Sequence, residues 1–398
     1  MDWGLPVRTI LRSLLLGWVA TSALVGCTEL KHATPEAAND PGDPEDAEPA
    51  EEAEGDADGD RKGDRSKTKE PRAPEKPNGP IDEGGKPAPT LVEELVTGRS
   101  RLGARSHQGF RPWRSGLAVH DGRLYWVEGG TQPGIYSAPV TCKSESCVDK
   151  LAKLTRPASF TATDTAIWVA DTNVLKKLEF APGSELKTVA SHSNDIVNLA
   201  VSGKDVFWTA GSSSAIQWTN GGGSTSTPIY SNGTPVGMAV AGSRVFWVGV
   251  DISGLNGLLQ SVKTDGTGAR GVADVAGGFH AMGGNDTYLY YAKGRPAAIH
   301  RLTVATGRDE VVAEDALGVA EIVLDATHAY WVEPGDGPDF LNGQVRRVAH
   351  DSTEPETLAV SVVRPIALAV APKRVYVASA GTPSADWNDG KILQISLP

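Results

Sequence analysis

Short apolar stretches recur along the chain from residue 113 to its end. The clearest are four-residue aromatic stretches, such as 124–127 (Leu-Tyr-Trp-Val) and 206–209 (Val-Phe-Trp-Thr). A small apolar stretch precedes each one, as 199–201 does, and a polar turn such as 202–205 joins the two. Glycine and aspartate suit the positive φ angles of hairpin turns, and no window has the apolar spacing of a helix. The pattern therefore predicts an all-β domain built from hairpins.

The aromatic stretch appears seven times at nearly constant intervals. The third residues of the seven copies are Trp126, Trp168, Trp208, Trp247, Tyr291, Trp331 and Val377. The intervals are close to the roughly 40–45 residues of a four-stranded propeller blade. Apolar residues on both faces of the aromatic strand also fit, because neighbouring blades cover that strand on two sides. The sequence predicts a seven-bladed β-propeller, with six or eight blades as alternatives.

The seventh unit lacks a fourth strand at the end of the chain. Residues 390–397 supply its third strand, and residues 91–97 (Leu-Val-Glu-Glu-Leu-Val-Thr) resemble the fourth strands of the other units. We predict that 91–97 pairs with the terminal strand and closes the ring, which removes exposed sheet edges. The propeller domain would then span 91–398.

The N-terminus has the pattern of an export signal. Arg8 and Arg12 precede an apolar run, 14–25, that is shorter than the roughly 20 residues needed to span a bilayer. The run ends in Leu24-Val25-Gly26-Cys27, which resembles the lipobox of bacterial lipoproteins. That resemblance implies a signal peptide, 1–26, and acyl chains on Cys27. The alternative is an ordinary secretory signal with an incidental cysteine.

The same resemblance implies a membrane partner. Two or three acyl chains on one residue give the stable anchoring that a single chain does not. Thr28, rather than aspartate, follows the cysteine, and in similar lipoproteins this favours the outer membrane. We expect an outer-membrane lipoprotein in the cell envelope that faces the periplasm or the cell surface.

Residues 27–90 form a predicted linker after the lipid site. The stretch 28–98 holds 20 acidic and nine basic residues, which accounts for the chain's net charge of −11. It has few large apolar side chains, so burial cannot offset the entropy of ordering it. We predict a disordered, acidic, proline-rich tether, with an acidic interaction arm as the alternative. The acidity argues against a nucleic-acid partner.

The aromatic second strand, with a following strand such as Ile299-His300-Arg301-Leu302, resembles YWTD-type and NHL-like propellers. The whole arrangement is similar to propeller lipoproteins of soil bacteria. The resemblance implies the fold and leaves the function open.

Two cysteines remain for an exported domain, Cys142 and Cys147. We predict a disulfide between them, and a metal site is the weaker alternative, because two cysteines without a nearby histidine make a poor zinc site. No sequence motif indicates a cofactor, a metal or a catalytic set, so none is expected.

Long connections in the sixth and seventh units resemble each other and carry carboxylates beside aromatic rings. The candidate ligand-binding residues are Asp336, Asp339, Phe340, Asp386, Trp387 and Asp389. Neighbouring blades would place them on one face, where they could bind a sugar, a cation or a basic peptide. Alternatively, Asn342-Gly343 and Asp389-Gly390 simply turn the chain into the next strand.

Taken together, these features predict an envelope-anchored, noncatalytic binding or protein-interaction module. Its partner would be an envelope protein or a glycan. The alternative is an envelope hydrolase or lyase with its site at the mouth of the propeller channel.

Overall fold

The computed structural model describes residues 92–102, 116–211, 215–220, 227–231, 235–250 and 256–397. These residues form β-strands, with two short 3₁₀ turns at Glu145–Cys147 and Pro383–Ala385. The predictions for the signal peptide, for Cys27 and for the linker to residue 90 lie outside the described residues. No helix in the described part is long and apolar enough to cross a membrane.

The strands are numbered in chain order. The first fourteen are β1 (Val92–Arg99), β2 (Leu117–His120), β3 (Arg123–Glu128), β4 (Gly134–Pro139), β5 (Asp149–Lys153), β6 (Pro157–Ala162), β7 (Ala166–Asp171), β8 (Val174–Glu179), β9 (Lys187–Ser191), β10 (Ile196–Ser202), β11 (Asp205–Ala210), β12 (Ala215–Thr219), β13 (Thr227–Ser231) and β14 (Pro235–Ala241). The others are β15 (Arg244–Val250), β16 (Asn256–Lys263), β17 (Arg270–Ala276), β18 (Phe279–Gly284), β19 (Tyr288–Lys293), β20 (Ala297–Thr303), β21 (Asp309–Ala316), β22 (Glu321–Leu324), β23 (His328–Glu333), β24 (Gly343–Ala349), β25 (Glu356–Val362), β26 (Pro365–Ala371), β27 (Arg374–Ser379) and β28 (Gly390–Ser396).

These strands form seven four-stranded antiparallel sheets, the blades of a propeller. Blades 1 to 6 each take four consecutive strands, from β2–β5 in blade 1 to β22–β25 in blade 6. Blade 7 contains β26, β27 and β28, with β1 as its outermost strand. The innermost strand of each blade contacts that of the next, and β26 returns to β2. The prediction of a seven-bladed β-propeller is confirmed.

The second strand of each blade is the most deeply buried. All six residues of β7 are buried, for example, because blades pack against both of its faces. Five blades bury a tryptophan completely on this strand, namely Trp126, Trp168, Trp208, Trp247 and Trp331. The hairpins follow the sequence pattern too. Asp121 and Gly122 turn the chain with φ angles of 44° and 69°, as a type I′ turn requires.

The N-terminal strand β1 lies beside the C-terminal strand β28. The two are antiparallel, with Val92 opposite Ile395 and Val96 opposite Ile392. Leu95 and Val96 are buried, and they pack in a cluster with Trp126 of blade 1. The first strand of the described chain therefore joins the last blade to the first.

The predicted disulfide is present in the connection between β4 and β5. Cys142 and Cys147 are bonded, with an S–S distance of 2.01 Å. Cys142 is buried in the cluster between blades 7 and 1. The bond therefore fixes the 3₁₀ turn Glu145–Cys147 to the domain core.

Candidate functional site

Two kinds of connection meet at one end of the propeller, which we call the upper face. Here second strands lead into third strands, and each blade leads into the next. The hairpins between first and second strands lie at the opposite end, the lower face. Blades 6 and 7 carry the long connections 334–342 and 380–389, so all six predicted ligand-binding residues lie on the upper face of these two blades.

An Asx side chain at the end closes each long connection. In blade 6, the Asn342 Oδ1 accepts the N–H of Asp336 at 2.9 Å, and its Nδ2 donates to the Asp336 Oδ1 at 2.6 Å. In blade 7, the two oxygens of Asp389 accept the N–H of Thr382 at 2.8 Å and its hydroxyl at 2.9 Å. The carboxylates of Asp336 and Asp389 are thus engaged inside their own loops.

Each set of loop-closing hydrogen bonds, which we call the loop lock, also depends on a glycine. Gly335 and Gly381 have φ angles of +83° and +80°. A Cβ at Gly381 would stand 2.2 Å from the Asp389 Oδ1, and one at Gly335 would stand 2.4 Å from the Asn342 Oδ1. The glycines permit both the left-handed backbone and the close approach of the locking side chain.

The two loops bring Phe340 and Trp387 against the same arginine side chain. The guanidinium carbon of Arg364 lies 4.5 Å from the Phe340 ring centre and 4.2 Å from the Trp387 ring centre. We call Phe340, Arg364 and Trp387 the arginine sandwich. All three side chains are partly exposed. Arg364 lies between β25 and β26, in the connection from blade 6 to blade 7.

Backbone hydrogen bonds hold the arginine sandwich together. The Arg364 N–H donates to the Phe340 carbonyl at 2.9 Å, and the Ala380 N–H donates to the Arg364 carbonyl at 3.0 Å. Trp387 accepts a bond of 2.8 Å from the N–H of Arg101. Arg101 also pairs with Asp386 across 3.1 Å. A segment next to β1 thereby supports the loop of blade 7.

The backbone is strained at this place. Phe340, Arg364 and Trp387 have φ angles of 52°, 36° and 62°, and Arg101 and Asp386 have angles of 51° and 50°. Positive φ is unusual for residues with bulky side chains. Such strain costs of order 1–3 kcal/mol per residue and gathers at functional sites. The positive φ angles that position these side chains therefore lower the stability of the folded state.

Arg364 differs from the other arginines that stack on rings in the described residues. Arg99, Arg301 and Arg346 each also pair with a glutamate, at 2.7, 2.7 and 3.3 Å respectively. No carboxylate of the described residues lies within 4.0 Å of the Arg364 guanidinium. Burial holds the pKa of Arg364 below its usual range. Its charge is therefore partly desolvated and has no counter-charge among these residues.

Other acids on the upper face serve the fold. Glu333 accepts the indole N–H of Trp331 at 2.9 Å and the backbone N–H of Leu317 at 3.0 Å. Glu128 accepts the indole N–H of Trp126 at 2.8 Å. Both glutamates stand two residues after the tryptophan, and this spacing is the signal that identifies them as structural.

One acid on an innermost strand is unusual. Glu321 begins β22, and its Oε2 accepts the N–H of Leu368 on the next innermost strand at 2.6 Å. Burial raises the pKa of Glu321 to about 8, although the Leu368 hydrogen bond acts in the opposite direction. The carboxyl therefore keeps its proton near neutral pH. No group of metal-ligating side chains occurs among the described residues.

The structure gives the six predicted residues four different situations. Phe340 and Trp387 form the arginine sandwich, and Asp336 and Asp389 close loops. Asp386 pairs with Arg101, and Asp339 is partly exposed. Sequence reasoning missed Arg364 because it stands alone before Pro365, in a connection whose partners are distant in sequence.

Comparison with known proteins finds similar structures. No family model matches the chain, and no curated protein matches it. The solved structure of U3-55K is similar over 78% of this chain and 100% of that one, with a TM-score of 0.56 at 10% identity. A chain of the Mitotic Checkpoint Complex matches 84% of this chain and 99% of its own, with a TM-score of 0.54 at 14% identity.

A virginiamycin B lyase from Staphylococcus aureus is also similar. It matches 77% of this chain and 99% of its own, with a TM-score of 0.53 at 11% identity. The likeness is one of fold. Identities this low carry no information about the site.

Proposed function

We propose that the propeller is a noncatalytic binding module and that its ligand sits on the arginine sandwich. One observation carries this: a partly desolvated arginine without a counter-charge among the described residues packs against two aromatic rings on strained backbone. Aromatic and arginine side chains dominate binding energy at protein interfaces. A rigid scaffold with function in its connecting loops is a common arrangement.

The structural comparisons support a protein partner. One similar chain is part of the Mitotic Checkpoint Complex, which is an assembly of proteins. Exposed apolar side chains also lie on the upper face: Leu341 adjoins Phe340, and Leu317 lies in the connection from blade 5 to blade 6. An envelope protein is therefore our proposed partner, and an envelope glycan is the alternative.

Cross-linking in cells tests the binding face. Leu341 is 55% exposed and adjoins Phe340, whereas Leu151 is 41% exposed on the outermost strand of blade 1. Benzoylphenylalanine in place of Leu341 should capture a partner, and the same residue in place of Leu151 should not. Phe340→Ala or Trp387→Ala should reduce the Leu341 product.

Phe180→Ala is the matched control for the ring truncations. Phe180 is partly exposed on the lower face, where its ring stacks on His120 at 4.2 Å. It should leave the Leu341 product unchanged. Equal products from Leu341 and Leu151, or a product insensitive to Phe340 and Trp387, would refute the proposed binding face.

We propose further that lipid on Cys27 holds this module at the outer membrane. A flexible linker of some 60 residues spans roughly 40–45 Å on average, enough to carry the propeller clear of a lipid surface. Cys27→Ser should move the protein from the envelope pellet to the soluble fraction and remove the mass of the acyl chains. Continued pelleting of a variant that lacks only the lipid mass would exclude this anchor.

The alternative function is a hydrolase or lyase at the channel mouth. Glu321 is the observation that specifically supports it. A carboxyl that stays protonated near neutral pH could act as a general acid. A screen against ester and glycoside substrates tests this. Activity that Glu321→Gln abolishes and Phe340→Ala spares would favour the enzyme over the binding module.

A further inference from the structure

We propose that the arginine sandwich recognises a carboxylate, which binds to the edge of the Arg364 guanidinium. This inference rests on the proposed function and specifies the chemistry of the ligand. A carboxylate on a peptide, on a sugar acid or on a small organic acid would satisfy it equally.

The first argument is geometric. The Phe340 and Trp387 ring centres both lie within 4.5 Å of the guanidinium carbon, which leaves the N–H edge of the group as the part that would bind an incoming anion. No side-chain hydrogen bond joins that edge to any residue in the described ranges. The N–H groups of a guanidinium form a planar fork that fits two carboxylate oxygens at once. A flat anion approaching in the plane of the guanidinium therefore fits best.

The second argument is the local charge balance. Two nearby acids are engaged elsewhere, Asp386 with Arg101 and Asp389 with Thr382. The third, Asp339, adjoins Phe340 but makes no ion pair with Arg364 within 4.0 Å. Beyond residue 91, the parts of the chain outside the described ranges contain one acidic side chain, Asp251, which follows β15 of blade 4. A guanidinium cannot lose its proton under ordinary conditions. A counter-charge for Arg364 would therefore come from outside the described residues.

Two sources could supply the carboxylate. It could belong to another molecule, or to the acidic stretch 36–60 of the same chain, which is rich in aspartate and glutamate. The chemistry at Arg364 is the same in both cases. The experiment separates them by removing the acids of 36–60.

The test is a titration of the full chain with succinate, followed by thermal unfolding at constant ionic strength. Inorganic phosphate and uncharged succinamide are the comparison compounds. Succinate should raise the Tm, and succinamide should not. Arg364→Gln should abolish the response, and Arg364→Lys, which keeps the charge without the planar fork, should weaken apparent affinity about tenfold.

Arg374→Gln is the matched control. Arg374 is exposed on the lower face, at the start of β27, so its loss changes net charge equally and should leave the succinate response intact. The Tm of each variant without succinate reports whether it has folded, and Arg364→Lys is the second variant if Arg364→Gln unfolds. An equal succinate response in Arg364→Gln, or a response to phosphate alone, would overturn the proposal.

Replacing the acids of 36–60 with their amides identifies the source. A stronger succinate response would show that the chain's own acids occupy the site, and an unchanged response would assign the carboxylate to another molecule. Either result supports carboxylate recognition. A cross-link from Leu341 without a succinate response would reject the carboxylate and leave the binding face standing. A succinate response without a cross-link from Leu341 would reject the protein partner and leave carboxylate recognition standing.

Discussion

At the scale of single residues, charge is used in two ways in this propeller. Most buried charges among the described residues are paired, as Arg301 is with Glu310 at 2.7 Å. The Arg301 guanidinium also donates to the Ser352 carbonyl of the next blade at 2.9 Å, so this group links two blades. Arg364 and Glu321 differ, because each is desolvated without an opposite charge in the described residues. Arg364 stays charged and attracts an anion, whereas Glu321 keeps its proton. Burial disfavours the charged form of both groups, but only Glu321 becomes neutral near neutral pH.

Glu321 makes stability depend on pH. Its pKa is about 8 in the folded chain and near the ordinary value of 4.5 when unfolded. Between these values the folded state holds a proton that the unfolded state releases, so stability falls as pH rises through this window. We expect the Tm to drop by several degrees from about pH 5 to about pH 8.

Glu321→Gln should flatten that part of the curve, since a neutral amide does not titrate. Glu185→Gln, at an exposed position outside the strands, should keep the native slope. Thermal unfolding of the three chains over this pH range decides the matter. Parallel curves for native and Glu321→Gln chains would mean that Glu321 is ionised in the fold.

At the scale of elements, the long loops of blades 6 and 7 are each closed by hydrogen bonds within the loop. Each is closed by an Asx side chain that meets a glycine with positive φ. The connection after β7, by contrast, consists of Thr172 and Asn173. Compared with such a short connection, each long loop carries an additional aromatic ring. The hydrogen bonds that close the loop hold this ring beside Arg364.

Gly381→Ala should cost more stability than Gly183→Ala. Both glycines have φ angles near +80°, at +80° and +76°, so an alanine pays the same left-handed penalty of about 1–2 kcal/mol. A Cβ at Gly183 meets nothing within 4 Å, whereas one at Gly381 collides with Asp389. The extra cost should be about 1–3 kcal/mol, for a displaced charged hydrogen-bond acceptor.

Urea unfolding of the two variants measures this difference. Gly381→Ala should also lose the succinate response, since the Trp387 loop loses its lock. Equal unfolding midpoints would show that the Asp389 contacts do not hold the loop.

The sequence was sufficient for the elements and insufficient for the site. Alternating apolar and polar positions and the spacing of Trp126, Trp168 and Trp208 predict blades, because strand pairing is local and repeats. Phe340 and Trp387 were recognisable as paired loop aromatics. Arg364 was not, since its role depends on positive φ angles in three separate loops and on the distance between them. The pKa of Glu321 likewise depends on burial that its strand alone does not reveal.

At the scale of the whole molecule, closure depends on one strand from the other end of the chain. β1 pairs with β28, and the Lys391 ammonium contacts the Glu94 carboxylate at 2.5 Å. After β1, Leu102 forms an isolated β-bridge with Glu128, at the end of β3 in blade 1. Blade 7 is complete only when both ends of the propeller domain have folded.

A chain beginning at residue 99 should melt lower than one beginning at residue 88. The shorter chain loses the β1 hydrogen bonds, each worth about 0.5–1.5 kcal/mol, and uncovers Ile392, which is buried opposite Val96. The open edge of β28 should also promote association. Thermal unfolding and sedimentation measure both effects. Equal Tm and monomeric behaviour in both chains would show that β1 is dispensable for closure.

The direction of β1 has a mechanical consequence. Its Val92 end lies at the lower face, and its Arg99 end lies at the upper face beside the arginine sandwich. A pull on the segment before Val92, opposed by a partner held at the upper face, would act along the strand. The hydrogen bonds between antiparallel strands run across that direction, so the force would load them together in shear instead of breaking them one after another. A propeller closed in this way would resist a pull on its N-terminal segment most strongly while a partner is held at the upper face.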